Sequence, residues 1–234
     1  MYSQGILYVA AGEEHIRAAM RSAHTANKYC PGLATHLFAD WQNHNFQFDK
    51  NPAPFTSAGK IDSPHRRSKV DYLPGTPFDQ TLYLDNDSAL NADIRDIFRI
   101  LERFDLALTH IQPRAGNERS ASWRIDLPQA FPYYNSGVIL YRKTPAALQL
   151  LENWRDAYKE AGLKRDETTL RELLWLSDLR VAILPASYNA RYSKYEYLFF
   201  KSKAGTKIYH LKQLHGNWLG RALRYPIRLF SKLK

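Results

Sequence analysis

Two kinds of apolar pattern run through the chain. Short, unbroken apolar stretches bounded by turn residues recur at 5–11, 35–39, 81–84, 105–110, 135–142 and 179–184, with a last one at 207–211. Rich in β-branched and aromatic residues, they predict strands covered on both faces. Between them lie segments with a helical period. Residues 13–29 carry Ile16, Met20, Ala23 and Asn27 on one face, with Glu13 and Glu14 in the first turn and Pro31-Gly32 as a stop. A short basic helix is predicted from Ser63-Pro64 through Arg66, Arg67, Lys69 and Tyr72, and longer helices over 93–104, 145–161 and 167–176. Residues 41–63, rich in Asn, Gln, Pro and aromatics without clear period, are expected to form a long surface loop, and 112–129 a second irregular stretch.

Strands alternating with helices imply an α/β fold: a mostly parallel sheet with helices on both faces and functional groups at the carboxyl ends of its strands. At 234 residues the chain is long enough for one such domain and its core. One cysteine, Cys30, excludes an internal disulfide framework and a Cys-based zinc site, and fits a reducing compartment. No stretch approaches a membrane span, and the brief apolar run near the start lacks a basic leader, so secretion is not expected. The net charge of +10 sits in the tail: residues 201–234 hold nine Lys or Arg and no acid, while 1–200 hold 24 basic and 23 acidic residues. That distribution argues against a nucleic-acid-binding domain and for a local anionic partner surface.

The chemistry gathers where a strand ends. Thr81-Leu82-Tyr83-Leu84 stops abruptly in Asp85-Asn86-Asp87, and alternation along a strand aims both carboxylates the same way. Two like charges at the end of a buried strand call for a positive partner, of which a divalent cation is the simplest; a solvated turn is the competing reading. Hard cations such as Mg²⁺ or Mn²⁺ take carboxylate oxygens and keep positions open for phosphates. Asn135-Ser136-Gly137 at a strand entry, Asp166-Glu167 at a helix start and Tyr209-His210 at a strand end each add polar groups at an element terminus. Taken singly, these three read as a turn, a cap and a structural histidine.

In this order, the segments resemble the nucleotide-sugar glycosyltransferases of the GT-A fold, the group of glycogenin and the bacterial lipooligosaccharide galactosyltransferases. The resemblance runs from about Ile6 to about Gly216. It rests on Leu73-Pro74 followed by Leu82-Tyr83-Leu84-Asp85-Asn86-Asp87 (the D-x-D motif), Tyr134-Asn135-Ser136-Gly137-Val138 (N-S-G-V), Asp166-Glu167-Thr168-Thr169-Leu170 (D-Q-x-x-L) and Tyr209-His210-Leu211 (the C-terminal metal-binding His). It implies a GT-A-type, Rossmann-like fold and transfer of a sugar from a nucleotide-diphosphate sugar, UDP-sugar first, to a glycan or lipid-linked acceptor. It further implies Mn²⁺ or Mg²⁺ held by Asp85, Asp87 and His210, with Asp85 shared with the ribose. Ala10, Ala11 and Gly12 would receive the base, Lys69 with Arg66 would face the nucleotide or diphosphate, and Asn135, Ser136 and Asp166 would line donor sugar and acceptor. Two positions depart from the family pattern: Glu167 replaces its Gln, and its phosphate lysine has no counterpart in Leu211-Lys212-Gln213-Leu214-His215-Gly216, where Lys212 is the candidate substitute and His215 a rival ligand to His210. Which carboxylate acts as base stays open.

The domain is expected over residues 1–216, followed by a tail, 217–234. There Leu219, Leu223, Ile227, Phe230 and Leu233 fall on one helical face and Arg221, Arg224, Arg228 and Lys232 on the other, interrupted by Pro226. Two readings stand side by side: a segment lying on anionic lipid at the inner face of the membrane, which goes with a cytoplasmic enzyme and a lipid-linked surface-glycan acceptor, or a helix docked on the domain. Leu82–Asp87 also resembles the opening strand of haloacid-dehalogenase-type phosphatases, although about eighty residues precede it here. A GT-A-like domain that binds sugar nucleotides without turnover is the third reading.

Overall fold

The computed structural model describes residues 2–111, 122–191 and 205–210. In chain order the strands and helices are β1 (Gln4–Ala10), α1 (Glu13–Tyr29), β2 (Ala34–Ala39), β3 (Ser57–Lys60), α2 (Lys69–Tyr72), β4 (Gln80–Leu84), β5 (Ser88–Leu90), β6 (Leu106–His110), β7 (Tyr134–Arg142), α3 (Pro145–Ala161), α4 (Glu167–Leu176), β8 (Val181–Ile183) and β9 (Ile208–His210). Seven strands form one sheet in the order β3-β2-β1-β4-β7-β6-β8, and β5 pairs with β9 in a separate ribbon. Only β7 runs against the rest of the large sheet, between β4 and β6.

Alternation along the strands sorts the core into two layers. Ile6, Tyr8 and Ala10 of β1 point to one face, where Ile16, Ala19, Ala23 and Ala26 of α1 meet Ile97, Phe98 and Leu101 of a 3-10 helix over Arg95–Glu102. Leu7 and Val9 point to the other, packing with Val70 of α2, Leu150, Leu151 and Trp154 of α3, and Leu170 and Leu174 of α4. Each fully enclosed Leu or Ile contributes about 1.5–3 kcal/mol. Because both layers are dry, the strands read as continuous apolar runs. α3 is punctuated by its sequence: the Thr144 side chain accepts from Ala147 N–H at 3.3 Å, Pro145 follows, and Gly162 ends the helix in the left-handed region.

Several sequence expectations need correction. Asn27 is exposed, since the buried stripe of α1 runs Ile16-Ala19-Ala23-Ala26. Residues 41–63 are not a surface loop: Trp41, Phe48, Phe55 and Ile61 are buried, and the stretch supplies edge strand β3. Its aromatics enter the core without a period because they enter one at a time from turns. The basic helix begins only at Lys69, and 93–104 forms a 3-10 helix over Arg95–Glu102 instead of an α-helix. The last strand, β9, lies outside the main sheet, paired antiparallel with β5 so that Ser88 faces His210. The tail at 217–234, with Lys212 and His215, lies outside the described residues.

Candidate functional site

β4 delivers Asp85 at the point where strand direction reverses. Its backbone N–H donates to Gly137 O of the antiparallel neighbour β7 at 2.8 Å, and Ser88 N–H closes the turn onto Asp85 O at 2.9 Å. The turn leads directly into β5, and β5 carries β9; the ribbon therefore brings His210 back over the two acids. Single ligand atoms of Asp85, Asp87 and His210 all lie within 4.8 Å of one another. His210 Nε2 is 3.1 Å from Asp87 Oδ1 and 3.9 Å from Asp85 Oδ2.

Each member is aimed by further bonds. Asp85 Oδ1 accepts from Tyr83 Oη at 2.7 Å and from Lys69 Nζ at 3.2 Å, which leaves Oδ2 turned to the histidine. Burial, reinforced by Asp85, pushes the Tyr83 hydroxyl pKa well up and keeps it a donor. At Gly137 a Cβ would stand 2.6 Å from His210 Cε1 and 2.8 Å from Asp85 Oδ2, so the cluster closes only over a residue without a side chain. Two carboxylate oxygens and one imidazole nitrogen, each offered singly, fit a hard divalent ion with coordination positions left for phosphate oxygens.

Behind the cluster lies a buried charge network. Lys69, 5% exposed, was expected to face the diphosphate; its Nζ instead donates to Ser136 O and Ser136 Oγ, both at 2.9 Å, and pairs with Asp166 Oδ2 at 3.2 Å. Burial works against its charge, but Asp166 and Asp85 outweigh burial and raise its pKa. Asp166 is fully enclosed and also accepts from Ser136 Oγ at 3.0 Å. Burial favours its protonated form, yet Lys69 and then Arg67 more than offset this and hold its carboxyl below the usual range. Although it precedes α4, its side chain makes no cap bond. Its carbonyl instead anchors packing to site, accepting from the indole N–H of buried Trp154 at 3.0 Å.

The other sequence candidates fall around this centre. Asn135 and Ser136 are each 3% exposed, so they brace the site from within. Ala10 ends β1, and Ala11 and Gly12 lead from it into α1; the strand end is tied to the Asp85–Ser88 turn by Asn86 Nδ2 donating to Val9 O at 3.0 Å. Gly12 has φ +93°, a conformation that suits glycine, and its N–H donates to buried Asp40 Oδ1 at 2.8 Å. Glu167 is only partly buried and reaches the surface beside Arg67, whose Nε lies 3.5 Å from Asp166 Oδ1. Arg66 is exposed. Sequence reasoning did not single out Arg67, Tyr83 or Asn189 as site residues. Arg67 and Tyr83 stood in segments already of interest; nothing in the sequence marks Asn189.

An α/β sheet with one reversed strand, helices on both faces and an acid pair at the reversal defines a GT-A-type, Rossmann-like architecture. Among solved structures, the chain is similar to the galactosyltransferase LgtC, determined in complex with donor and acceptor sugar analogues. The likeness covers 89% of this chain and 87% of that one, with a TM-score of 0.57 at 13% sequence identity. It shows the fold. No protein-family model and no curated protein matches the sequence.

Proposed function

We propose that this chain is a divalent-metal-dependent glycosyltransferase that takes a sugar from a nucleotide-diphosphate sugar, UDP-sugar first, to a glycan or lipid-linked acceptor. The observation that carries the reading is the convergence of Asp85, Asp87 and His210 at the carboxyl end of β4. The fold shared with a sugar-transferring enzyme supports it. Asp85, Asp87 and His210 would hold Mn²⁺ or Mg²⁺, and the ion supplies the positive charge that meets the leaving diphosphate. Ala10 to Gly12 border the place for the base. Lys69 acts from beneath: it neutralises part of the charge of Asp85 and Asp166, so that two acids and a third can share one small volume. Asp166 stays ionised and accepts hydrogen bonds, which suits a fixed brace and excludes it as a proton donor at neutral pH. Glu167 and Arg67 form the more open side, where donor sugar and acceptor would meet. Residues 217–234 would hold the enzyme at an anionic membrane surface on the cytoplasmic side; among the described residues, no helix is long and apolar enough to cross a membrane.

Release of nucleotide and of inorganic phosphate is measured separately with Mn²⁺ and a panel of UDP- and GDP-sugars. The expected result is turnover of a sugar nucleotide that falls by about 10²-fold or more in Asp87→Ala. Phosphate release from simple monoesters would replace this reading with a phosphatase, and tight nucleotide-sugar binding without product would replace it with a binding domain. Pelleting with anionic vesicles, with and without residues 217–234, tests the membrane reading.

A further inference from the structure

A buried chain of hydrogen bonds joins β6, β7 and β9, and its direction is fixed from one end. The Gly137 backbone N–H can only donate, and it lies 2.9 Å from one amide atom of Asn135, which is therefore the carbonyl oxygen, Oδ1. Asn189 approaches that same oxygen at 2.8 Å. Two carbonyl oxygens would repel there, so the approaching group is the Asn189 NH₂, whose second hydrogen reaches Thr109 Oγ1 at 2.9 Å. Asn189 Oδ1 is left facing His210 Nδ1 at 2.9 Å. An amide oxygen only accepts, so Nδ1 carries the hydrogen. Thr109, Asn135, Asn189 and His210 are exposed by only 2, 3, 6 and 6%, which leaves water little room to reverse the order.

We propose that Asn189 is a positioning residue: by accepting the Nδ1 hydrogen of His210 it fixes the ring so that Nε2 is the nitrogen aimed at the acids, 3.1 Å from Asp87 Oδ1 and 3.9 Å from Asp85 Oδ2. With the other ring nitrogen held to a fixed acceptor, the ring is already turned to receive an ion, which has only to displace the hydrogen that Nε2 shares with Asp87. The purpose of the relay rests on the divalent-ion reading above; its geometry does not.

The test has an arm that needs no ion. Long-range ¹H–¹⁵N spectra of the metal-free protein read whether Nδ1 of His210 carries a hydrogen. The expected answer is an Nδ1–H in the wild type that is lost in Asn189→Leu. Mn²⁺ titration followed by electron paramagnetic resonance is expected to show about 10–100-fold weaker binding in Asn189→Leu. Asn189→Asp keeps an acceptor opposite Nδ1 and is expected to restore the Nδ1–H form. A wild type whose His210 Nδ1 carries no hydrogen would overturn the proposal while leaving the metal cluster standing, and it does so even where the variants fail to fold. Unchanged Mn²⁺ affinity in a folded Asn189→Leu would also overturn it. A wild type with Nδ1–H but no Mn²⁺ affinity would remove the metal reading, and the proposal with it.

Discussion

Lys69→Met tests whether the buried charge network holds the site together. Methionine keeps the length and flexibility of the stem and removes the ammonium. What is lost is two contacts at 2.9 Å to Ser136 and two ion pairs at 3.2 Å, to Asp85 and to Asp166. Asp166, with no exposed surface, then keeps only Arg67 at 3.5 Å as a counter-charge. Removing one partner of a buried pair costs about 3–5 kcal/mol, because the remaining charge stays desolvated. Total stabilities are about 5–15 kcal/mol, so the loss is a large fraction. At roughly 2–4 °C per kcal/mol for a chain of this size, Tm should fall by about 6–20 °C. Thermal and urea unfolding followed by circular dichroism, with chelator present, measures this. Lys69→Met/Asp166→Asn is the control: with the acid neutral as well, about 1–3 kcal/mol should return relative to the sum of the single variants. A loss under about 1 kcal/mol, or strict additivity, would show that the pair is solvated in practice and refute the argument.

Gly137→Ala forces a Cβ into contact with the cluster, 2.6 Å from His210 Cε1 and 2.8 Å from Asp85 Oδ2. It should cost about 1–3 kcal/mol by overpacking and weaken Mn²⁺ binding, both readable in one calorimetric titration series; unchanged affinity would place the ion elsewhere. On β2, burial lowers the His36 pKa to about 4 from an ordinary 6.5. Between those values the unfolded chain binds a proton that the folded chain does not, so stability is full above about pH 6.5 and falls by about 3 kcal/mol as pH drops to 4. His36→Gln should flatten that part of the urea-derived stability profile by about one proton.

The apolar runs and helical periods made most of the large sheet legible, and α1, α3 and α4 span the residues their periods predicted, 13–29, 145–161 and 167–176. What escaped was structure held by backbone pairing alone. β3 and β5 are four and three residues long, too short for a pattern, and exist because β2 and β9 supply hydrogen bonds; β9 was legible as a strand at 207–211, but its pairing with β5 was not. At the site, residue types named the acids, the serine and the lysine, since carboxylates at a strand end carry a meaning by themselves. Burial was not legible: Lys69 looked like a surface cation because basic neighbours surround it in sequence, and what encloses it is the packing of α2 on β1 and α3 together with its bonds to Asp85, Ser136 and Asp166. Asn189 was invisible for a related reason, being an ordinary polar residue whose partners come from strands distant along the chain.

The ribbon of β5 and β9 also bears on biosynthesis. Two acids of the cluster emerge from the ribosome with the first half of the polypeptide, whereas the histidine follows after every strand of the large sheet has been made. A nascent chain can thus pair every strand of the large sheet before the three groups of the cluster come together, and the docking of β9 adds Ile208 to the core at the same time. Grip on an ion by all three groups would report that the polypeptide has been made at least as far as β9 and that β9 has docked on β5.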